Sequence, residues 1–133
     1  MTMADPGPPA ELKLKRKSRV LEVHFRDGES FSLPFEYLRV YSPSAEVRGH
    51  GPGQETLQLG KHEIGIRAVE PVGNYAVKLV FDDGHDTGLY TWDYLHELGA
   101  TFGEKWFAYL ERLAKLGLPY PTPVPPKGRV QQR

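Results

Sequence analysis

The stretch LVFDDGHDTGLYTWDYL, residues 79–95, holds the turn around which the rest of the chain can be arranged. An apolar run ends at Phe81, an Asp-Gly pair follows, and a second run leads into aromatic residues. Asp-Gly between alternating runs is a strong hairpin signal, because glycine takes the left-handed backbone position at no steric cost. An earlier stretch, VHFRDGESFSLPFEYL, residues 23–38, echoes it. Each has a Phe before the turn (Phe25, Phe81) and a Tyr-Leu pair after the second strand (Tyr37-Leu38, Tyr94-Leu95).

Face matching sets the expected register. A three-residue loop places glycine third, at the left-handed position. Loop Arg26-Asp27-Gly28 sets Val23 opposite Phe31 and Leu21 opposite Leu33, so the apolar faces coincide. Loop Asp82-Asp83-Gly84 sets Phe81 opposite His85, Leu79 opposite Thr87 and Val77 opposite Leu89. A two-residue loop would turn one apolar side to water. His85 is therefore expected at the rim of the core, on the face of Val77, Leu79, Phe81 and Leu89.

Outward from the hairpins, a strand is expected over Ile64 to Glu70, turned by Pro71-Val72-Gly73 into the strand from Tyr75 to Phe81. A short helix begins near Pro34, a residue suited to a first helical turn. A second covers Trp92 to Leu98 and stops at Gly99. TFGEKWFAYLERLAKLG carries a capping box, Thr101 with Glu104. Its apolar residues, Phe102, Trp106, Tyr109, Leu110, Leu113 and Leu116, recur at helical spacing, and Gly117 and Pro119 end it. The expected fold is α+β: an antiparallel sheet of about five strands built from the two Asp-Gly hairpins, with short helical turns and one C-terminal amphipathic helix. Residues 1–17 read as a disordered tail, 18–117 as a single domain, and 118–133 as a Pro-rich disordered tail. Pro123 and Pro126 in that tail have P-x-x-P spacing, which a groove for extended proline helices could read.

Composition narrows the function. At 133 residues, with 39% hydrophobic and 26% charged residues, the chain suits one soluble domain. Zero formal net charge argues against a dedicated nucleic-acid binder. The basic run Lys13, Lys15, Arg16, Lys17 and Arg19 reads as a solvated tail. There is no cysteine, so disulfides, thiolate metal sites and cysteine nucleophiles are excluded. No stretch reaches the ~20 apolar residues of a membrane span, and MTMADPGPPAEL lacks a signal-peptide core. A cytoplasmic location is expected.

LRVYSPSAEVRGHGPGQ (residues 38–54) and EPVGNYAVKLVFDDGHDTGLYTWDYLHELG (residues 70–99) resemble the gamma-butyrobetaine hydroxylase-like N-terminal domain family, over roughly residues 18–110. The resemblance implies a small α+β domain of unknown function. Such domains stand alone in bacteria, precede iron- and 2-oxoglutarate-dependent oxygenases, or adjoin iron–sulfur carrier ATPases. In oxygenase members, three cysteines of an L-R-x-x-C-x-C-x-x-C block and a later histidine hold a structural zinc. Carried over, those positions are Ser42, Ser44, Val47 and His85. One imidazole cannot supply a tetrahedral zinc shell, so the resemblance implies the fold and a lost zinc site. No cofactor is expected.

The remaining signals are sparse. An oxygenase needs a two-His-one-carboxylate triad, and His24, His50, His62, His85 and His96 begin no H-x-D or H-x-E pattern. No serine has a G-x-S-x-G setting. GHGPG, residues 49–53, lacks the lysine and strand-loop-helix context of a phosphate loop. His50 and His62 could join His85 if the loop folds back, though scattered histidines are the simpler reading. Asp82, Asp83 and Asp86 rim His85, and such a contact would raise its proton affinity or offer a weak cation site. Turn chemistry accounts for Asp83 equally well. Trp92 and Tyr94 form either an aromatic ledge with Asp86 or part of the core under the long helix. The reading these signals favour is a non-catalytic accessory or protein-interaction module, with a partner in iron–sulfur or iron-dependent metabolism. The alternative is a zinc- or iron-binding domain that uses His85.

Overall fold

The computed structural model describes residues 7–44, 47 and 57–121. Among these residues, six strands form two three-stranded antiparallel sheets, in place of the expected single sheet of about five strands. The first sheet is β1 (Glu11–Lys15), β2 (Val20–His24) and β3 (Ser30–Pro34), in that order. Helix α1 (Phe35–Val40) follows directly. The second sheet is β4 (Ile66–Val72), β5 (Ala76–Phe81) and β6 (Leu89–Thr91), again in order. It leads into α2 (Trp92–Ala100) and α3 (Phe102–Lys115).

The first hairpin has the expected register: Val23 pairs with Phe31 and Leu21 with Leu33. Gly28 closes its loop at φ 94°. The second hairpin has the expected turn, with Gly84 at φ 90° and the Phe81 amide donating to the His85 carbonyl at 3.0 Å. Its register then departs by one residue: Val77 pairs with Tyr90, and Lys78 with Leu89. Residues 85–88 lie outside any strand, so one extra residue is taken up before β6 begins. The slip turns Tyr90 fully into the core and leaves Leu89 40% exposed. A one-residue shift necessarily exchanges faces in this way.

The expected N-terminal tail is wrong from residue 11. ELKLK forms β1 and pairs with β2 from Glu11↔His24 to Lys15↔Val20. Leu12 and Leu14 pack against the core while the charged residues face out, the alternation of a half-buried strand. The basic run is also not merely solvated. The Arg16 guanidinium donates to the Ile66 carbonyl at 2.7 Å and the Arg67 carbonyl at 3.2 Å, tying the first sheet to the second. The C-terminal tail is wrong at its start too. Tyr120 packs edge-on against Trp106 and donates to Glu36 at 2.6 Å. Pro123 and Pro126 lie outside the described residues.

One core joins both sheets, centred on Leu21, Val23, Leu33, Tyr37, Leu79, Phe81, Tyr90, Leu95 and Leu98. Each large apolar side chain buried there contributes roughly 1.5–3 kcal/mol. Helix α3 lays Tyr109 and Leu113 inward, with Trp106 and Leu110 half-buried, while Leu116 at its end is 62% exposed. The expected capping box does not form. The Thr101 hydroxyl donates back to the Glu97 carbonyl at 2.7 Å, closing α2 instead of opening α3. Gly99 lies within α2, where any Cβ would collide with the Phe31 ring at 2.3 Å. Among the described residues, no helix is long and apolar enough to cross a membrane.

Candidate functional site

The expected site residues come together where the turn after α1 meets the second hairpin. The Ser42 hydroxyl lies 2.8 Å from His85 Nε2, and the Ser44 hydroxyl 3.4 Å from the same atom. Ser42 is fully buried, Ser44 is 5% exposed, Val47 5% and His85 8%. The Ser44 amide donates to Ser42 Oγ at 3.3 Å and the Val47 amide to the Ser44 carbonyl at 3.1 Å, which fixes the turn. The hairpin presses against it. A Cβ at Gly88 would stand 2.5 Å from Ser42 Oγ and 3.0 Å from Pro43 Cδ, so this close approach requires glycine.

A serine hydroxyl at hydrogen-bond distance from an imidazole is the opening geometry of nucleophilic catalysis. Here the serine has no exposed surface, so an acyl substrate cannot reach it. The same four positions, Ser42, Ser44, Val47 and His85, do not fit the zinc implied by the family resemblance. Hydroxyls stay protonated and bind zinc poorly, valine offers no donor atom, and Nε2 already faces both hydroxyls.

The acidic rim does not replace the lost ligands. Asp83 Oδ1 accepts the His85 amide at 3.0 Å, an Asx turn, and contacts the backbone rather than the ring. Its Oδ2 pairs with the Arg39 guanidinium at 3.0 Å and the Lys61 ammonium at 2.8 Å. Arg39 also donates to Gln58 at 3.0 Å. Burial alone would raise the Asp83 pKa. The Lys61 and His85 hydrogen bonds and the Arg39 charge outweigh it and lower the pKa to about 2. Asp86 keeps intermediate exposure. His62 points its Nε2 to Glu63 at 3.7 Å, and His50 and GHGPG lie outside the described residues. Among the described residues, no group of three or more His, Cys, Asp or Glu side chains could hold a metal ion.

Trp92 and Tyr94 are tethered rather than free. Trp92 packs, half-buried, against the core, and its Nε1 donates to the Asn74 carbonyl at 2.8 Å, which fastens the β4–β5 turn. The Tyr94 hydroxyl donates to the Tyr41 carbonyl at 2.6 Å, and Tyr94 lines a groove with Pro43, Leu89, Thr91, Asp93 and Glu97. Two polar clusters escape sequence reading. One is Arg39–Asp83–Lys61. The other is the buried Glu36 carboxylate, which accepts the Tyr109 and Tyr120 hydroxyls at 2.8 and 2.6 Å. Burial, and then that carboxylate, raise both tyrosine pKa values. The only sequence signal for either cluster is a charged residue inside an apolar helical run, Glu36 and Arg39 in FEYLRV.

Comparison with known proteins places this geometry in a family. The chain is similar to two proteins with NMR solution structures. The first has 47% identity and a TM-score of 0.76, over 100% of this chain and 98% of the other. The second has 44% identity and a TM-score of 0.74, over 95% and 98%. It is also similar to the crystal structure of a protein of unknown function from Acidithiobacillus ferrooxidans, a DUF971 family member. That match has 40% identity and a TM-score of 0.61, over 74% of this chain and 99% of the other. No curated protein matches. The model of the family described as gamma-butyrobetaine hydroxylase-like, N-terminal, matches residues 12–96, well over half of the sequence. The chain therefore belongs to the gamma-butyrobetaine hydroxylase-like N-terminal family.

Proposed function

We propose that the chain is a non-catalytic accessory module that docks a partner protein in the cytoplasm. The observation that carries this reading is the groove lined by Pro43, Leu89, Thr91, Asp93, Tyr94 and Glu97. Leu89, which the register slip leaves 40% exposed, lines it beside Pro43 and Tyr94. Both charged residues that line it are acidic: Asp93 accepts the Thr91 hydroxyl at 2.6 Å, and Glu97 pairs with Lys105 at 3.7 Å. Apolar side chains beside two acidic ones suit an extended segment that carries an apolar residue beside a lysine or arginine. The partner class implied by the family resemblance is a protein of iron–sulfur or iron-dependent metabolism.

The test is affinity capture from native lysate with the wild-type chain, Leu89→Asp and Tyr75→Asp. Tyr75 is exposed but lies outside the groove. The reading predicts a reproducible partner that Leu89→Asp loses and Tyr75→Asp retains. Capture of nothing reproducible, or of the same set by all three chains, would contradict it.

A further inference from the structure

We propose that Ser42, Ser44 and His85 form a metal-free hydrogen-bond clasp that fastens the turn after α1 to the second hairpin, where the family resemblance implies a zinc. This goes beyond the docking reading and does not depend on it. Both hydroxyls converge on one ring nitrogen, at 2.8 and 3.4 Å. A hydroxyl can donate or accept, so the pair satisfies Nε2 in either tautomer. The three residues are nearly or fully buried, so water competes little for these bonds. Ser42 Oγ also accepts the Ser44 amide, so one atom closes the turn and holds the histidine.

Two further observations separate a clasp from a weak metal site. One charged candidate for a replacement ligand, Asp83, is held by Arg39 and Lys61. The glycine contact at Gly88 brings the hairpin backbone against Ser42 and Pro43 so closely that the two segments interlock without any bridging atom. Neutral hydroxyls in place of thiolates also remove the negative charge that draws zinc to such a cradle. The fold consequently stands without metal, and Pro43, which lines the groove, is held between Ser42 and Ser44 of the clasp.

Urea unfolding of the full chain, in chelator and in added zinc chloride, tests the clasp. The wild-type midpoint is expected to be the same in both. His85→Ala removes the partner shared by two buried hydroxyls and should lower the folding equilibrium constant roughly ten- to a hundredfold. Ser42→Ala should lower it less and covers the case in which His85→Ala does not fold. The Ser42→Cys/Ser44→Cys variant places two thiols at the imidazole and should become more stable in zinc. A wild-type midpoint that falls on chelation and recovers with zinc would overturn the proposal. So would serine and histidine variants that unfold at the wild-type midpoint, or a double-cysteine variant blind to zinc, since the three positions would then not converge.

Discussion

In the first hairpin the loop Arg26-Asp27-Gly28 runs straight into β3, and every pair from His24↔Ser30 to Val20↔Pro34 is in register. In the second, the similar loop Asp82-Asp83-Gly84 is followed by four residues outside any strand, and β6 is only three residues long. Both turns obey the same backbone rule, since Gly28 and Gly84 adopt nearly equal positive φ. What differs is the demand made on the returning segment. The first needs only to complete a sheet. The second must also carry His85 to Ser42 and Ser44 and pass Gly88 under Pro43 before it can pair again. A turn motif sets how a chain reverses, and tertiary contacts then decide where pairing resumes.

The largest expected effect breaks the comparison at the slipped register. Tyr90→Ala should cost about 3–5 kcal/mol, because it empties a fully buried site and removes the hydrogen bond to the Leu38 carbonyl. Leu89→Ala should cost under about 0.5 kcal/mol, as an exposed position does. Urea denaturation of the two variants distinguishes the observed register from one with Leu89 in the core, which would reverse the ranking.

Gly88→Ala comes next. Its methyl group meets Ser42 and Pro43, and crowding of that kind costs about 1–3 kcal/mol. An alanine at Gly28 meets nothing within 4 Å, so its cost is only that of the left-handed backbone, about 1–2 kcal/mol. The two separate by amide shifts: Gly88→Ala should perturb residues 42–44, and Gly28→Ala should stay local to the first turn.

Much of the fold was legible because periodicity and turn chemistry agreed. The first hairpin, its loop and its register follow from Val23, Phe31, Leu21 and Leu33 alternating about Asp27-Gly28. The α+β class, the Pro34 helix start and the long amphipathic helix followed for the same reason. The slip was not legible, because Leu89 and Tyr90 are both apolar enough to face inward and the choice is made by Gly88 against a distant turn. β1 was hidden because its alternating lysines and glutamate resemble a charged tail, and only Leu12 and Leu14 carry the strand signal. The capping box failed because α2 ends one residue before α3 begins, so one hydroxyl had two possible uses. At the site, carrying over the family positions singled out Ser42, Ser44, Val47 and His85, and the structure adds that both hydroxyls meet the imidazole. Nothing local pointed to Arg39 and Lys61 as the cations of Asp83, since those contacts span 44 and 22 residues.

The acidic turns sharpen the comparison further. Asp83 has its folded pKa lowered from 3.8 to about 2, so its contribution to stability is complete above its unfolded value near 4 and is lost as pH falls toward 2. Allowing for solvent screening, the loss is on the order of 1–2 kcal/mol. Unfolding followed from pH 5 to pH 2 should show this component in wild type and lack it in Asp83→Asn. Asp27→Asn, in the first turn, should retain it.

The smallest effect concerns how each hairpin exits into a helix. Thr91 caps α2, with its hydroxyl accepting the Tyr94 amide at 3.3 Å, whereas Pro34 precedes α1 with no side-chain cap. Thr91→Ala should cost about 1 kcal/mol in thermal or urea unfolding, the ordinary worth of such a cap.

The imidazole of His85 reports most directly on whether a hydrogen-bond clasp or a metal organises the second hairpin. Its ring nitrogens can be followed by long-range proton–nitrogen correlation spectra of the labelled chain, in chelator and then in added zinc. The clasp predicts one set of His85 ring resonances, the same under both conditions and shifted by Ser42→Ala. A His85 Nε2 resonance that moves on zinc addition and returns on chelation would contradict it.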